Sequence, residues 1–162
     1  MDEKDLVKFL IEAKKGTYAN SNAPRIKSSR LGSSDYEYVS EVDKKTITYH
    51  DTYFGGVNFI GEEVVYFEND KPFWGMNYYG ITLDKSLGEA AMDAVLRPAL
   101  MMVGDDDIIP VRGPREFKNG EYVYKFNVQG SINNFSGTEE IYKKDKIIYR
   151  LLCHGGNIEW KS

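Results

Sequence analysis

One cysteine and two histidines make up nearly all the thiol and imidazole chemistry this chain has. Cys153 has no second thiol to pair with, which excludes an intramolecular disulfide and any zinc cluster built on several cysteines. A single free thiol suits a reducing compartment. His154 follows Cys153 directly, so on a strand their side chains point to opposite faces and cannot form a Cys–His pair. No G-x-S-x-G elbow, H-E-x-x-H helix or phosphate-cradling glycine loop occurs. No apolar run approaches the roughly 18 residues that span a bilayer. The opening M-D-E-K-D-L-V-K is too charged for a signal peptide. The expectation is a cytoplasmic protein with no membrane partner, no metal and no cofactor. Positive charge is also scarce, with 21 Lys and Arg against 25 Asp and Glu and a net charge of −4. That balance argues against direct nucleic-acid binding, which needs a positive field to neutralise phosphates.

Aromatics are abundant. They make up 14% of 162 residues, with twelve Tyr and eight Phe, and favour strands, where rings pack on a pleated face. The length suits one domain over residues 1–162.

Residues 3–15 form an amphipathic helix by period, with Leu6, Phe9, Leu10 and Ala13 on one face. Lys14 and Lys15 suit the negative end of its dipole, and Gly16 suits a C-cap. Residues 17–34 are rich in Ser, Asn, Gly and Pro and read as a loop, in which Arg25, Lys27 and Arg30 among Ser28, Ser29, Ser33 and Ser34 either hold an anion or form a solvated basic surface. Strand signals begin at Asp35. Ile47, Tyr49, Asp51 and Tyr53 alternate with Thr46, Thr48, His50 and Thr52. Strands over 64–67 and 73–79 flank a turn at Glu68-Asn69-Asp70-Lys71. Ser86-Leu87-Gly88-Glu89 has the pattern of a capping box opening a second helix, which Pro98 should kink or restart. Asp105-Asp106-Asp107 reads as a solvated connector, and Ile108 to Val111 as a short edge strand. Tyr122, Tyr124, Phe126 and Val128 alternate cleanly, and 139–153 complete a last hairpin.

The two halves echo one another. Gly55-Gly56, Phe59-x-Gly61, Glu62-Glu63, Asp70-Lys71 and Gly80 return as Gly130, Phe135-x-Gly137, Glu139-Glu140, Asp145-Lys146 and Gly155. The expected fold is therefore α+β: a curved, mainly antiparallel sheet with helices packed on it, built from an α-β-β-β unit used twice.

A sheet doubled in this way leaves a cleft between its halves. Tyr53, Phe59, Trp74, Tyr78, Tyr124 and Tyr149 are candidates to line it, or else to fill the core. Arg30 and Arg112 come from turns. One of them is expected to face the cleft and read a carboxylate or phosphate, the alternative being an ion pair with Glu62 or Glu63. The candidate ligand-binding residues are Arg30, Tyr53, Glu62, Trp74, Tyr78, Arg112 and His154. Glu62-Glu63 and Glu139-Glu140 could set carboxylates across a cleft for acid–base work, but only one of each adjacent pair can face inward on a strand. No catalytic residue is assigned. The leading function is non-enzymatic binding of a small anionic or aromatic ligand. The alternatives are a protein-interaction or homodimerisation module linked to transcription regulation, and an enzyme of unknown reaction.

The segments F-L-I-E-A-K-K-G-T-Y-A, S-S-R-L-G-S-S-D-Y-E-Y, D-T-Y-F-G-G, F-I-G-E-E-V-V, K-P-F-W-G-M-N-Y-Y-G, R-G-P and the late H-G-G together resemble the bacterial DUF5680 family. The likeness runs from about Leu6 to Gly156. It implies a domain of uncharacterised function, attached in some relatives to XRE-type helix-turn-helix regulators, and supplies no catalytic residues. This chain opens directly on the domain, so the expectation is a stand-alone sensor or partner domain. It departs from the family's S-R-P-G-S turn at Ser29-Arg30-Leu31-Gly32-Ser33, which lacks the proline.

Overall fold

Alternating aromatic and polar residues build one eight-stranded sheet in the computed structural model, which describes residues 1–68, 71–86 and 88–161. The strands are β1 (Ser34–Val42), β2 (Lys45–Gly55), β3 (Asn58–Phe67), β4 (Lys71–Thr82), β5 (Glu116–Asn119), β6 (Tyr122–Ser131), β7 (Asn134–Lys143) and β8 (Lys146–Asn157). They lie in the order β1-β2-β3-β4-β8-β7-β6-β5, antiparallel throughout, and the sheet stays open. The fold is α+β. The expected turn at Asn69-Asp70, and the capping box through Leu87, lie outside the described residues.

Helices cover one face. In α1 (Glu3–Gly16) the Asp2 side chain accepts from the Asp5 amide at 2.9 Å, an N-cap. Leu6, Phe9, Leu10 and Ala13 are buried as the period requires. Full burial of each leucine contributes about 1.5–3 kcal/mol. The helix runs through Gly16 rather than stopping before it, and the Thr17 hydroxyl donates to the Ala13 carbonyl at 2.7 Å. Lys14 is fully buried instead of solvated at the helix end.

The second helical segment is broken by Pro98, as its sequence implies. Short α2 (Gly88–Ala91) passes into a π-helical turn (Met92–Leu96) and then α3 (Arg97–Met101). Proline has no N–H for the carbonyl four residues back. That carbonyl belongs to Ala94, and the Asn119 side-chain amide donates to it at 2.8 Å. The π turn thus sits where the ordinary ladder cannot continue.

Residues 108–111 are not a strand. Pro110 removes a ladder donor, and the Val111 amide bonds locally to the Ile109 carbonyl at 2.8 Å. The edge is instead β5, so each half carries four strands rather than three.

Strand register shows the internal repeat directly. Phe59 faces Gly80 and Phe135 faces Gly155; Gly61 faces Tyr78 and Gly137 faces Cys153. A bulge falls at Val65/Tyr66 in one half and at Ile141/Tyr142 in the other. Trp74 pairs with Asn157 and Tyr149 with Thr82, while Tyr78 pairs with Cys153. A pseudo-twofold axis therefore passes between Tyr78 and Cys153. Gly61 and Gly137 both sit under rings: a Cβ on Gly61 would strike the Tyr78 hydroxyl, and one on Gly137 would lie 2.7 Å from the Phe126 ring.

Candidate functional site

Each half buries one glutamate on the helix-covered face, Glu63 on β3 and Glu139 on β7. Their neighbours Glu62 and Glu140 point to the other face, as strand alternation requires. A cation meets each buried acid. Arg112, from the segment after α3, donates to Glu139 through Nε and Nη2, both at 2.9 Å. The hydroxyls of Tyr124 and Tyr149 also donate to Glu139, at 2.8 and 3.0 Å. The Gly113 amide donates to the Tyr124 oxygen at 3.0 Å. Burial opposes the Arg112 charge, but Glu139 beside it outweighs that and holds its pKa well above the ordinary value. Both oxygens of Glu139 are therefore satisfied by fixed donors.

The first half is wired differently. Lys14 from α1 donates to Glu63 Oε2, while Glu63 Oε1 and the Tyr49 hydroxyl have no protein partner. Burial lowers the Lys14 pKa, with Glu63 acting against it. By register Tyr49 corresponds to Tyr124 and Trp74 to Tyr149. Yet Tyr49 does not bond Glu63, and the Trp74 indole donates to the Ile132 carbonyl at 2.8 Å.

Above this half lies a cavity of about 290 Å³, close to the small end of the roughly 300–1,000 Å³ typical of ligand sites. Tyr36, Tyr53, Phe59 and Tyr78 supply its sheet wall, and Met92, Leu96 and Leu100 its helical roof. Asp51 and Arg112 are its buried polar groups, and exposed Arg25 and Arg97 stand at its rim. Tyr36 and Tyr53 stack with centroids 6.4 Å apart, and Arg25 lies over Tyr53 while donating to its hydroxyl at 3.0 Å. The Arg112 guanidinium faces the rings of Tyr18 and Tyr78 at 5.3 and 5.9 Å.

Asp51 is the unusual member. Its side chain is 1% exposed, and Oδ1 accepts from the Tyr78 hydroxyl at 2.6 Å. Burial, reinforced by the nearby Glu63, pushes its pKa up to about 7, against the opposing pull of Tyr78, Lys14 and Arg112. The register partner of Glu139 in the second half is Phe126, where the first half sets Asp51 against Glu63. Likewise Tyr53 corresponds to Val128 and Tyr78 to Cys153. The second half fills these places with apolar side chains; the first half has a carboxyl and two phenols.

The cavity gathers Tyr53, Tyr78 and Arg112 from the residues singled out in the sequence. Trp74 is fully buried in the core, stacked on Phe135 at 6.0 Å. Arg30 pairs with Glu62 beside a second pocket, on the open face, that His50 and Thr52 also line. His154 is exposed on that same face, next to Gln129 and Ser136. Sequence reasoning missed Asp51 and Tyr18 as site residues, whereas Arg25 belongs to the basic loop weighed as an anion holder. For Asp51 the signal was present: it is the one acid in the alternating set Ile47, Tyr49, Asp51, Tyr53, whose other members are aromatic or aliphatic.

Among the described residues no group of three or more His, Cys, Asp or Glu could hold a metal ion. No helix among them is long and apolar enough to cross a membrane.

Fold and site together define an α+β protein with a duplicated open sheet and a polar-floored cavity over the strands of its first half. Residues 51–158 match the family model described as Domain of unknown function (DUF5680), and the chain belongs to that family. The match begins at Asp51 itself and ends just past β8. No curated protein and no solved structure matches the chain.

Proposed function

We propose that the cavity of the first half binds a small molecule with a flat aromatic body and an acidic group, and that the protein acts as a binding or sensing domain. The observation that carries this is the asymmetry of the repeat. Two units share register, bulges and buried ion pairs, yet among the described residues the cavity with an aromatic wall, buried polar groups and arginines at its rim opens over the strands of the first, where the second has Phe126, Val128 and Cys153. Tyr rings offer broad apolar contact with a polar tip, and arginine reads carboxylates through paired hydrogen bonds. Arg25 and Arg97 are placed to hold the acidic end.

A thermal-shift series with 3-phenylpropionate, and acetate as control, tests the reading. A ligand that binds only the folded state at 100 times its Kd raises stability by about 2.7 kcal/mol. The aromatic acid should raise the melting temperature and acetate should not. Arg25→Gln should weaken the shift and lower the unliganded melting temperature only slightly, because Arg25 is exposed and loses only surface contacts with Tyr36 and Tyr53. An equal shift in wild type and variant would remove Arg25 from the site.

A second reading rests on the open face. Ile60, Tyr79 and Leu152 lie side by side across β3, β4 and β8 and are 56, 46 and 56% exposed. Such a row suits a protein contact. Concentration-dependent sedimentation that Leu152→Lys abolishes would favour it.

A further inference from the structure

The helix-covered face buries three carboxyl groups, Asp51, Glu63 and Glu139, against two cations, Lys14 and Arg112. Glu63 takes Lys14 and Glu139 takes Arg112. Asp51 is left without a cation of its own. Asp35, the remaining buried acid among the described residues, does not enter this balance. It adjoins Tyr36, a wall residue of the cavity, and so points to the opposite face, where the Ser29 amide donates to it and His50 lies nearby. An unmatched buried carboxylate is strongly disfavoured unless it is protonated or meets a positive partner. Asp51 lines the cavity and its Oδ1 is held by Tyr78, and among the described residues no hydrogen bond reaches its Oδ2. At the equivalent place the second half has Phe126, so the repeat's architecture does not require an acid here.

We propose that Asp51 is the recognition carboxylate of the cavity and that the occupant presents a positively charged nitrogen to its Oδ2, which makes the ligand class a small aromatic zwitterion of the amino-acid type. The inference rests on the reading above, in which the acidic end of the ligand lies at the arginine rim. The ammonium supplies the charge the buried set lacks, and the aromatic ring meets Tyr53, Phe59 and Leu96. A volume of about 290 Å³, at the small end for ligand sites, suits a single-ring molecule.

Binding should also move a proton. The titratable and charged groups around Asp51 are Lys14 from α1, Tyr18 just after it, Tyr49 and Tyr53 from β2, Glu63 from β3, Tyr78 from β4 and Arg112 from the segment after α3. With its pKa near 7, Asp51 holds a proton in much of the free protein at neutral pH. An ammonium group seated on it expels that proton.

Isothermal titration of L-phenylalanine, phenethylamine and 3-phenylpropionate, at pH 7 in two buffers of different ionisation enthalpy, tests the proposal. A hydrogen bond to a charged group is worth about 1.5–3 kcal/mol, roughly 10- to 100-fold in Kd. Phenylalanine should bind wild type tighter than 3-phenylpropionate by about that ratio, with net proton release. Asp51→Asn should abolish both the advantage and the proton release. Equal binding of phenylalanine and 3-phenylpropionate in wild type would overturn the Asp51 contact and leave the cavity reading standing. Binding of phenethylamine without 3-phenylpropionate would support the Asp51 contact and overturn the acidic end at the rim. Binding of none of the three would overturn both.

Discussion

Replacing Asp51 with asparagine should make the free protein more stable, and increasingly so as pH rises. The buried carboxyl titrates near 7 against 3.8 when unfolded. A raised folded pKa means the native state binds the proton more tightly. Its contribution is fully present below the unfolded pKa and is lost as pH rises through the folded one. At 1.36 kcal/mol per pKa unit, the whole span is about 4 kcal/mol, and roughly 2 kcal/mol of it falls between pH 5.5 and 8.5. Asparagine keeps an acceptor for Tyr78 and carries no charge. Urea unfolding at both pH values is the assay. Wild type should lose about 2 kcal/mol over the interval beyond any change seen in Asp51→Asn, and the variant should be the more stable at pH 8.5 by several kcal/mol. For a chain of this size each kcal/mol is about 2–4 °C in Tm. A variant that parallels wild type across the pH range, or is less stable at pH 8.5, would refute the unmatched-charge argument.

The second half should behave oppositely, because Glu139 is fully engaged. Arg112→Met leaves that carboxylate buried and unpaired, and should cost about 3–5 kcal/mol by denaturant unfolding. The double change Arg112→Met with Glu139→Gln should recover much of that loss. Cys153 is buried and its thiol is pushed up to about 12, chiefly by burial. It should therefore resist a thiol-reactive chromophore in the native protein at pH 8 and react promptly in denaturant. Trp74→Ala should cost about 3–5 kcal/mol through the cavity it opens in the core. Because Trp74 does not line the ligand cavity, any variant that stays folded should keep its affinity for 3-phenylpropionate.

Much of this architecture is legible in the sequence, and the reasons are local. The α1 face, the hairpin turns and the paired Phe-x-Gly segments depend on residues within a few positions of one another, where period and turn chemistry act. The four-strand unit was harder to read: β5 is short, and the apolar run 108–111 next to it resembles a strand until Pro110 is weighed. The site was legible only in part. Tyr53 and Tyr78 stand out as aromatics, but so does Trp74, and only packing on Phe135 assigns it to the core. Arg112 was recognisable as a turn cation, whereas its partner Glu139 lies 27 residues away and is fixed by strand register. Lys14 looked like a solvated helix-end charge because nothing nearby in sequence announces Glu63, 49 residues on. Arg25 falls in a loop tied to the sheet by the bridge between Ile26 and Asp35 and by the Ser29 amide on Asp35. Contacts set by long-range pairing leave no local trace.

A crystal structure of the protein grown with L-phenylalanine tests the central claim most directly. The account predicts ligand density between Tyr53 and Leu96, the amino group on Asp51 Oδ2 and the carboxylate toward Arg25 and Arg97. Density confined to the open face beside Ile60, Tyr79 and Leu152, or a cavity holding only solvent at saturating ligand, would contradict it.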